Sequence, residues 1–418
     1  MDFLKNFLFS NITPKQTVLK NTFWLFLIKI LSLLFKFFLF IFAARILGPY
    51  NFGSFQYVFS LLALFYIFSD LGINYLVIRD YYQKNNFKEM INTASFLREI
   101  LLFISLLFSL IFSFFISDQL LKWLFIILTF YYFLYNFREY ILSFFQAKQE
   151  MEKQFFVILL ENFILLIFGF LFLFFYKNPI ALSIAYILAI IFSLLFSLKL
   201  AKDFFGYLKP KLNLDFLKYY FINGLPLTFF GIIGFLFFSV DQIILGKLKG
   251  MEIVGYYAID SRIVLVLNSF ILIFLTALLP QIALNIDNKE RMKVIIRKSF
   301  YVILFLGFFS FLLIYFLSDY LTLILGDKYL NSVYPLKLLS LVLLILPLIN
   351  LFDNLLFSLN KQWQNFYITF FCALVNLILN FLLIPSFSLY GAIYATIISQ
   401  ILNLILTYLL LYKYFLRS

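Results

Sequence analysis

Twelve long apolar runs, separated by short breaks that carry most of the charged residues, dominate the sequence. Hydrophobic residues make up 64% of the 418-residue chain, charged residues make up 13%, and the mean hydropathy is +1.00. A helix that spans a bilayer needs about 20 apolar residues and satisfies its backbone hydrogen bonds internally. We therefore predict an all-α polytopic membrane protein with about 12 transmembrane helices. The predicted spans are approximately 22–43, 54–78, 93–116, 122–146, 154–176, 179–199, 217–240, 256–279, 296–317, 333–358, 366–384 and 389–412.

The composition excludes several kinds of site chemistry. The chain has no His and a single Cys, Cys372, which lies inside an apolar run. A His-ligated zinc site, a Ser-His or Cys-His dyad and an intrachain disulfide are therefore excluded. The breaks between the spans are too short to form a soluble catalytic domain. We expect a protein that is not an enzyme and that binds no metal cofactor or organic cofactor.

Basic residues are distributed unevenly between alternate breaks. Lys and Arg number 33 against 20 acidic residues, which gives a net charge of +13. With the N-terminus inside, 21 basic residues fall on the cytoplasmic side, 7 on the opposite side and 5 within spans. Because cytoplasmic loops carry the excess of Lys and Arg, both termini are predicted to be cytoplasmic. Since topology accounts for most of the positive charge, we expect no nucleic-acid partner.

An internal repeat divides the chain into two halves. A constant offset of 202 residues places Gly48 over Gly250 and Gly53 over Gly255. Each half holds six predicted spans, so the two halves have the same orientation in the membrane. We therefore predict two six-helix lobes related by a pseudo-twofold axis along the membrane normal. The predicted lobes, joined by the basic stretch Lys199–Lys211, are residues 1–205 and 206–418.

Short motifs in a fixed order resemble those of a known transporter family. They are Ala44-Arg45-Ile46-Leu47-Gly48-Pro49, Phe52-Gly53, Asp70-Leu71-Gly72, Arg79, Leu225-Pro226-Leu227, Asp241-Gln242-Ile243-Ile244-Leu245-Gly246, Val254-Gly255-Tyr256-Tyr257 and Pro280. In order and spacing they resemble the polysaccharide (O-antigen or lipid-linked oligosaccharide) flippases of the multidrug/oligosaccharidyl-lipid/polysaccharide exporter superfamily. The motifs extend over both halves, whereas the last quarter of the chain contributes only its hydropathy.

The resemblance implies a function and a location. It implies a flippase that moves an undecaprenyl-pyrophosphate-linked oligosaccharide from the cytoplasmic to the outer leaflet of the bacterial inner membrane by alternating access. The implied partners are the lipid-linked oligosaccharide and membrane lipids, with a polysaccharide polymerase and assembly proteins as further candidates. Composition and periodicity by themselves do not indicate this substrate.

Five basic residues within the predicted spans are candidates for substrate binding. Lys29 and Lys36 are seven residues apart and therefore share one face of the first span. A cation near the bilayer centre costs about 2.5–3.5 kcal/mol on insertion scales, so we expect this face to line a water-filled cavity. Arg98, Arg138 and Arg262 complete the set. Lys point charges and Arg forks would both suit a pyrophosphate group.

Structural ion pairing is the alternative role for Arg98 and Arg138. Each is followed directly by a glutamate, Glu99 or Glu139. Neighbouring side chains on a helix point about 100° apart, so we expect each of these charges to find its partner on another helix. For Arg262, whose span lies at the repeat interface, substrate binding is the preferred role.

Four other residues are candidates for ion coupling or gating. With no His in the chain, a cycle coupled to Na⁺ or H⁺ would use in-span carboxylates. Glu161 in the fifth span is the preferred carboxylate, and Asp70 in the second span is another. Asp241 ends the seventh span, and we expect it to close an outward gate by pairing with Arg45 or Lys36.

Three functions compete on these observations. A lipid-linked oligosaccharide flippase would present cations to its substrate, as the five in-span basic residues do. A multidrug or cation exporter of the same superfamily would present acids instead. A membrane glycosyltransferase or polysaccharide polymerase would need a set of catalytic carboxylates in an outward loop, and the acidic residues of those loops are too scattered. The flippase is therefore the preferred reading.

Overall fold

The computed structural model describes residues 8–82, 87–202, 213–284 and 289–416. Most of the predicted linker Lys199–Lys211 therefore lies outside the described residues. Within them the regular structure is helical. The α-helices are α1 (Pro14–Tyr66), α2 (Ile73–Asp80), α3 (Phe87–Ser113), α4 (Gln119–Ala147), α5 (Met151–Tyr176), α6 (Pro179–Leu200), α7 (Leu214–Phe238), α8 (Val240–Lys249), α9 (Met251–Leu284), α10 (Lys289–Leu317), α11 (Leu321–Leu325), α12 (Val333–Leu339), α13 (Val342–Ser358), α14 (Gln362–Phe387) and α15 (Leu389–Leu411).

Local capping explains where several of these helices begin. Thr13 caps α1, and its side chain accepts a hydrogen bond from the Gln16 backbone before Pro14 opens the helix. Asn178 caps α6 in the same way, again followed by a proline at the first helical position. A polar N-cap satisfies an orphan backbone donor, and proline loses nothing at the first position because that N–H has no intrahelical partner. These caps allow the spans to follow one another through very short connections.

The prediction of an all-α membrane protein is confirmed. Among the described residues, ten helices are long and apolar enough to cross a membrane, or eleven if the bent pair Asp327–Leu339 and Val342–Ser358 forms one span. Helix α1 has 53 residues, more than twice the length that a single crossing requires, and it is broken at Gly48. Two crossings within α1 are consistent with the predicted count of twelve, which stays a prediction.

The described chain forms two units of mutual contact. Unit 1 comprises residues 1–47 and 58–232, and unit 2 comprises residues 48–57 and 233–418. Unit 2 thus includes a short segment from the first half of the sequence, and unit 1 includes most of α7, up to residue 232. The division into six-span lobes at residues 205 and 206 stays a prediction.

The two glycines that open the repeat have the same backbone conformation. Gly48 has φ 70° and ψ 171°, and Gly250 has φ 93° and ψ 170°. Both values lie in a region that only glycine adopts readily. At each position one helix ends and the next begins, α1 being broken at Gly48 and α8 giving way to α9 at Gly250. The sequence repeat is therefore also a structural repeat at these positions.

The second pair of repeat glycines makes a reciprocal contact within unit 2. A Cβ atom added to Gly53 would lie 1.8 Å from the Met251 carbonyl oxygen, and one added to Gly255 would lie 2.1 Å from the Pro49 carbonyl oxygen. Pro49 and Met251 are also 202 residues apart, so the two contacts are equivalent under the sequence repeat. Two helix starts therefore cross with their backbones touching. This exchange of partners is consistent with the predicted pseudo-twofold relation.

Candidate functional site

Buried charges of unit 1 are gathered around Arg138 on α4. Its side chain is 2% exposed and forms an ion pair with Glu161 on α5, whose side chain is 3% exposed. The guanidinium also lies 3.5 Å from the Ser193 hydroxyl on α6 and 4.9 Å from the centre of the Tyr135 ring. Three consecutive spans therefore meet at one guanidinium. This arrangement stabilises the packing of α4, α5 and α6 through a buried, hydrogen-bonded charge pair.

Glu139 is a second partner of Arg138. The distance from Arg138 Nη2 to Glu139 Oε1 is 2.6 Å. The expectation that adjacent charges on a helix do not pair is wrong here, because the long, flexible arginine side chain bends towards its neighbour. Cross-helix pairing, by contrast, is observed between Arg138 and Glu161.

Arg98 on α3 is the centre of a second buried polar group. Its side chain is 1% exposed, and its guanidinium lies 3.6 Å from the carboxylate of Asp70. It also donates to the Ser69 hydroxyl at 3.3 Å and to the Asn136 carbonyl oxygen at 3.2 Å. The structure thus brings together Arg98 and Asp70, which the sequence singled out for different roles. These contacts tie α3 and α4 to the segment between α1 and α2, which lies within the second predicted span.

The remaining predicted site residues of unit 1 lie on α1. Lys29 and Arg45 are exposed and Lys36 is partly exposed. Helix α1 is held against α5 by a hydrogen bond of 2.8 Å from the Asn162 side chain to the Ser32 hydroxyl. In unit 2, Arg262 is exposed on α9. The predicted joint site of Lys29, Lys36 and Arg262 draws on both units and stays a prediction.

A buried polar cluster in unit 2 surrounds Asp241, which lies at the start of α8 and is 1% exposed. Its carboxylate accepts hydrogen bonds from the Asn380 side chain at 2.5 Å, from the Thr396 hydroxyl at 3.4 Å and from the Tyr257 hydroxyl. Asn376 lies one turn from Asn380 on α14 and accepts a hydrogen bond from it at 3.1 Å. We call these five residues the Asp241 cluster.

Neutral groups surround Asp241 within unit 2. Its hydrogen-bond donors there are amide and hydroxyl groups. The predicted pairing of Asp241 with Arg45 or Lys36, which belong to unit 1, stays a prediction. The sequence shows Asn376 and Asn380 on one face of a helix, but it does not show that α8 and α15 pack against that face. Thr396 is a site residue that the sequence reasoning missed. The polar spacing Thr396, Gln400, Asn403 and Thr407 along α15 is the signal that pointed to it.

The buried carboxylates of the two units have different kinds of partner. In unit 1, buried Asp80 lies 2.8 Å from Arg79, buried Glu152 lies 2.9 Å from Lys20, and Glu161 pairs with Arg138. In unit 2, the fully buried carboxylates are Asp241 and Asp260. Asp260 accepts a hydrogen bond of 2.5 Å from the Ser332 hydroxyl, and neither carboxylate forms an ion pair within the described ranges. A buried carboxylate without a cation is costly, so the neutral hydrogen-bond donors are what stabilise these two side chains.

Comparisons with known families place the chain among polysaccharide biosynthesis proteins. The sequence model of the polysaccharide biosynthesis protein family matches residues 18–285, and the MatE family model matches residues 226–382. The capsular polysaccharide biosynthesis protein CapF of Staphylococcus aureus is 25% identical over 385 residues, which cover 90% of this chain and 94% of the relative.

Two solved structures show the same fold. One is a multidrug resistance MATE family transporter of the MOP superfamily in an inward-facing conformation, with TM-score 0.74 and 13% identity over 91% of this chain and 93% of that one. The other is the lipid II flippase MurJ in an inward closed conformation, with TM-score 0.75 and 16% identity over 96% of this chain and 88% of that one. The family model of residues 18–285 covers more than half of the sequence, so the chain belongs to the polysaccharide biosynthesis protein family.

Proposed function

We propose that this protein is a flippase that moves an undecaprenyl-pyrophosphate-linked oligosaccharide from the cytoplasmic to the outer leaflet by alternating access. The observation that carries the proposal is the match of the polysaccharide biosynthesis family over residues 18–285. Two relatives support it by their names, since one is a capsular polysaccharide biosynthesis protein and the other is a lipid II flippase with the same fold. A lipid-linked sugar is the substrate class that fits both a polysaccharide pathway and a lipid flippase.

The proposal includes a location and a set of partners. The protein would be a non-enzymatic transporter of the bacterial inner membrane with both termini in the cytoplasm, as the distribution of basic residues indicates. Its partners would be the lipid-linked oligosaccharide and membrane lipids, together with a polysaccharide polymerase and assembly proteins that act on the exported product. Cysteine labelling of intact cells at Lys209 tests the topology. Labelling of that site from outside would contradict it.

The headgroup site that we propose consists of Lys36 and Arg262 with Lys29 nearby. Arg98 and Arg138 are less available to a substrate, because both are buried and already hydrogen-bonded to protein groups. In a semi-enclosed cavity, losing one contact between a cation and a phosphate costs about 2–5 kcal/mol of binding. Lys36→Gln and Arg262→Gln should therefore abolish glycan export, while Lys36→Arg should retain it. Full export by a well-expressed double variant would contradict this assignment.

A direct assay separates the flippase from a drug exporter. The purified protein in vesicles should move a fluorescent polyprenyl-pyrophosphate oligosaccharide between leaflets, as measured by its access to an added quencher. A drug exporter is the second candidate, because the MatE model matches residues 226–382. Export of a cationic dye without movement of the lipid-linked sugar would favour that candidate and exclude the flippase.

We further propose that transport is coupled to Na⁺ at the Asp241 cluster. Asp241 supplies a buried negative charge, and Asn376, Asn380 and Thr396 supply neutral oxygen atoms of the kind that hard monovalent cations prefer. The Asn380 Oδ1 atom has no hydrogen-bond partner within the described part of the chain. Glu161, the sequence-based candidate, is less suited because Arg138 already neutralises it.

The coupling proposal has a matched control within the same unit. Asp241→Asn should abolish Na⁺ binding and the Na⁺ dependence of transport, because the cluster then has no charge. Asp353→Asn changes a carboxylate of α13 that is held by the Asn365 side chain at 2.9 Å, and it should leave both properties intact. Wild-type Na⁺ dependence in a well-folded Asp241→Asn variant would exclude coupling at this cluster.

A further inference from the structure

A cavity inside unit 2 adjoins the Asp241 cluster. Its empty volume is about 430 Å³, including its mouth, and its wall includes Tyr257 and Thr396, which both donate to Asp241. Ser261 and Gln400 are the other polar residues of the wall, which is otherwise apolar. The narrow interior has room for about two water molecules or one partly hydrated cation.

A layer of amide side chains continues the polar path beyond this cavity. The amides are Asn268 on α9, Asn350 on α13 and Asn403 on α15, which follow the wall residues Val264, Leu346 and Gln400 by four, four and three residues. Along the chain, the long helix α10 lies between α9 and the bent pair α12 and α13, and the long helix α14 lies between α13 and α15. Because successive spans alternate in direction, these three helices run the same way. The three amides therefore lie one turn past the cavity at a common level.

The amide groups along this path have unsatisfied polar atoms. Gln400 Oε1, Asn268 Oδ1 and Asn403 Oδ1 are buried and have no hydrogen-bond partner in the described part of the chain, and the same is true of Asn350 Nδ2. The side chains of Gln400, Asn268 and Asn403 are only 3–5% exposed. Buried amide oxygens without a donor are unfavourable, so water or a cation is expected beside the three oxygens, whereas Asn350 Nδ2 is a donor and needs an acceptor such as water.

An apolar cluster closes the path at its far end. Ile271 and Leu275 on α9, Leu351 and Leu355 on α13, and Leu411 on α15 belong to one buried hydrophobic core. On α9 and α13 this core has members within three residues of the amide layer, and on α15 the partly buried Leu404, next to Asn403, packs against it. The polar path thus runs from Asp241 to the amides and ends at this apolar core, so its opening is the mouth of the cavity.

We infer that the cavity and the amide layer together form a hydrated transit site, entered through the mouth of the cavity, in which a monovalent alkali cation is held on its way to Asp241. The inference rests on the proposed coupling at that residue. Neutral amide oxygens replace part of the hydration shell of the cation without holding it tightly, whereas the carboxylate provides the binding charge. The transit site therefore governs how fast the cation arrives, and Asp241 governs whether it stays.

Leucine substitutions test the transit site, because leucine is close to asparagine in size and lacks the amide. Asn268→Leu and Asn403→Leu, singly and together, should slow the association of radioactive sodium with the purified protein by about tenfold. Thermal stability should be unchanged or higher, because unsatisfied buried polar atoms are removed. Ser269→Ala is the matched control, because this neighbouring hydroxyl is satisfied within its own helix by the Leu265 carbonyl oxygen at 2.8 Å. It should leave sodium association unchanged.

The outcomes separate this inference from the coupling proposal. Wild-type sodium association in the stable double variant, together with loss of binding in Asp241→Asn, would overturn the transit site and leave the coupling intact. A wild-type protein that binds no sodium would instead refute the coupling. Hydration of the path is then tested by radiolytic footprinting, which oxidises side chains next to bound water. Absence of oxidation at Tyr257 and Leu346 would overturn the transit site on its own.

If the double variant fails to accumulate in the membrane, Gln400→Leu serves as the second test. Its amide lines the cavity directly, and the same slowing of sodium association is expected. Loss of stability without any change in sodium kinetics, in whichever variants fold, would assign these amides a packing role and contradict the inference.

Discussion

Removal of the Arg138 charge decides between a structural role and the substrate-binding role predicted from the sequence. Arg138→Gln leaves Glu161, whose side chain is 3% exposed, without a cation. Breaking a buried ion pair from one side costs about 3–5 kcal/mol, which is a large share of the 5–15 kcal/mol that stabilises a typical domain. Glu139 is 32% exposed, so water compensates for most of its loss. We therefore expect a strong fall in thermal stability.

Variants of Glu161 test whether the fall in stability comes from leaving that buried carboxylate unpaired. Glu161→Gln should cost much less than Arg138→Gln, because Arg138 keeps its second partner, Glu139, at 2.6 Å. The double variant Arg138→Gln, Glu161→Gln removes both buried charges and should recover most of the lost stability. Fluorescence-detected size-exclusion chromatography after heating measures the midpoint of unfolding for all three variants, with glycan export measured in parallel. Wild-type stability of Arg138→Gln combined with loss of export would refute the structural reading and restore Arg138 as a substrate contact.

Four further changes, three at glycines and one at a buried ion pair, are read as shifts in the thermal midpoint. Gly224→Ala and Gly255→Ala should each destabilise by about 1–3 kcal/mol, because the added Cβ would lie 2.0 Å and 2.1 Å from backbone oxygens. Gly234→Ala is the control, because nothing lies within 4 Å of the added Cβ, and it should be neutral or stabilise by up to about 1 kcal/mol. Equal effects at all three glycines would contradict the close backbone contacts of Gly224 and Gly255. Lys20→Met should lower the midpoint by leaving buried Glu152 unpaired, and an unchanged midpoint would show that this carboxylate is neutral.

The sequence was sufficient for the helices because their signal is local. The predicted span at 179–199 corresponds to Pro179–Leu200, and the predicted span at 333–358 corresponds to the bent pair α12 and α13. In a bilayer, continuous apolar length fixes where a helix lies, and each helix satisfies its own backbone. The break between α12 and α13 was not predicted, because the sequence there remains apolar on both sides.

The site was only partly predictable because its contacts join distant parts of the chain. Asp241 meets Asn380 across 139 residues and Thr396 across 155 residues. The sequence shows the chemical type of each residue, and it shows that Asn376 and Asn380 lie one helical turn apart. Which faces come together depends on how whole helices pack, and no local pattern encodes that choice. Charge alone pointed to Arg45 and Lys36, and the neutral donors that surround Asp241 within unit 2 could not be predicted from it.

The crossing of Gly53 and Gly255 has a consequence for how the chain can change over time. Gly53 contacts Met251, which follows Gly250, and Gly255 contacts Pro49, which follows Gly48. The two contacts are therefore equivalent, as they are in the interface of a symmetric dimer. In a six-span ancestor that paired with itself, one glycine would have met the steric requirement of both copies. Once the copies are joined in one gene, a side chain gained at either position intrudes on the other half. We therefore expect these two positions to retain glycine even where the surrounding halves have diverged beyond recognisable similarity.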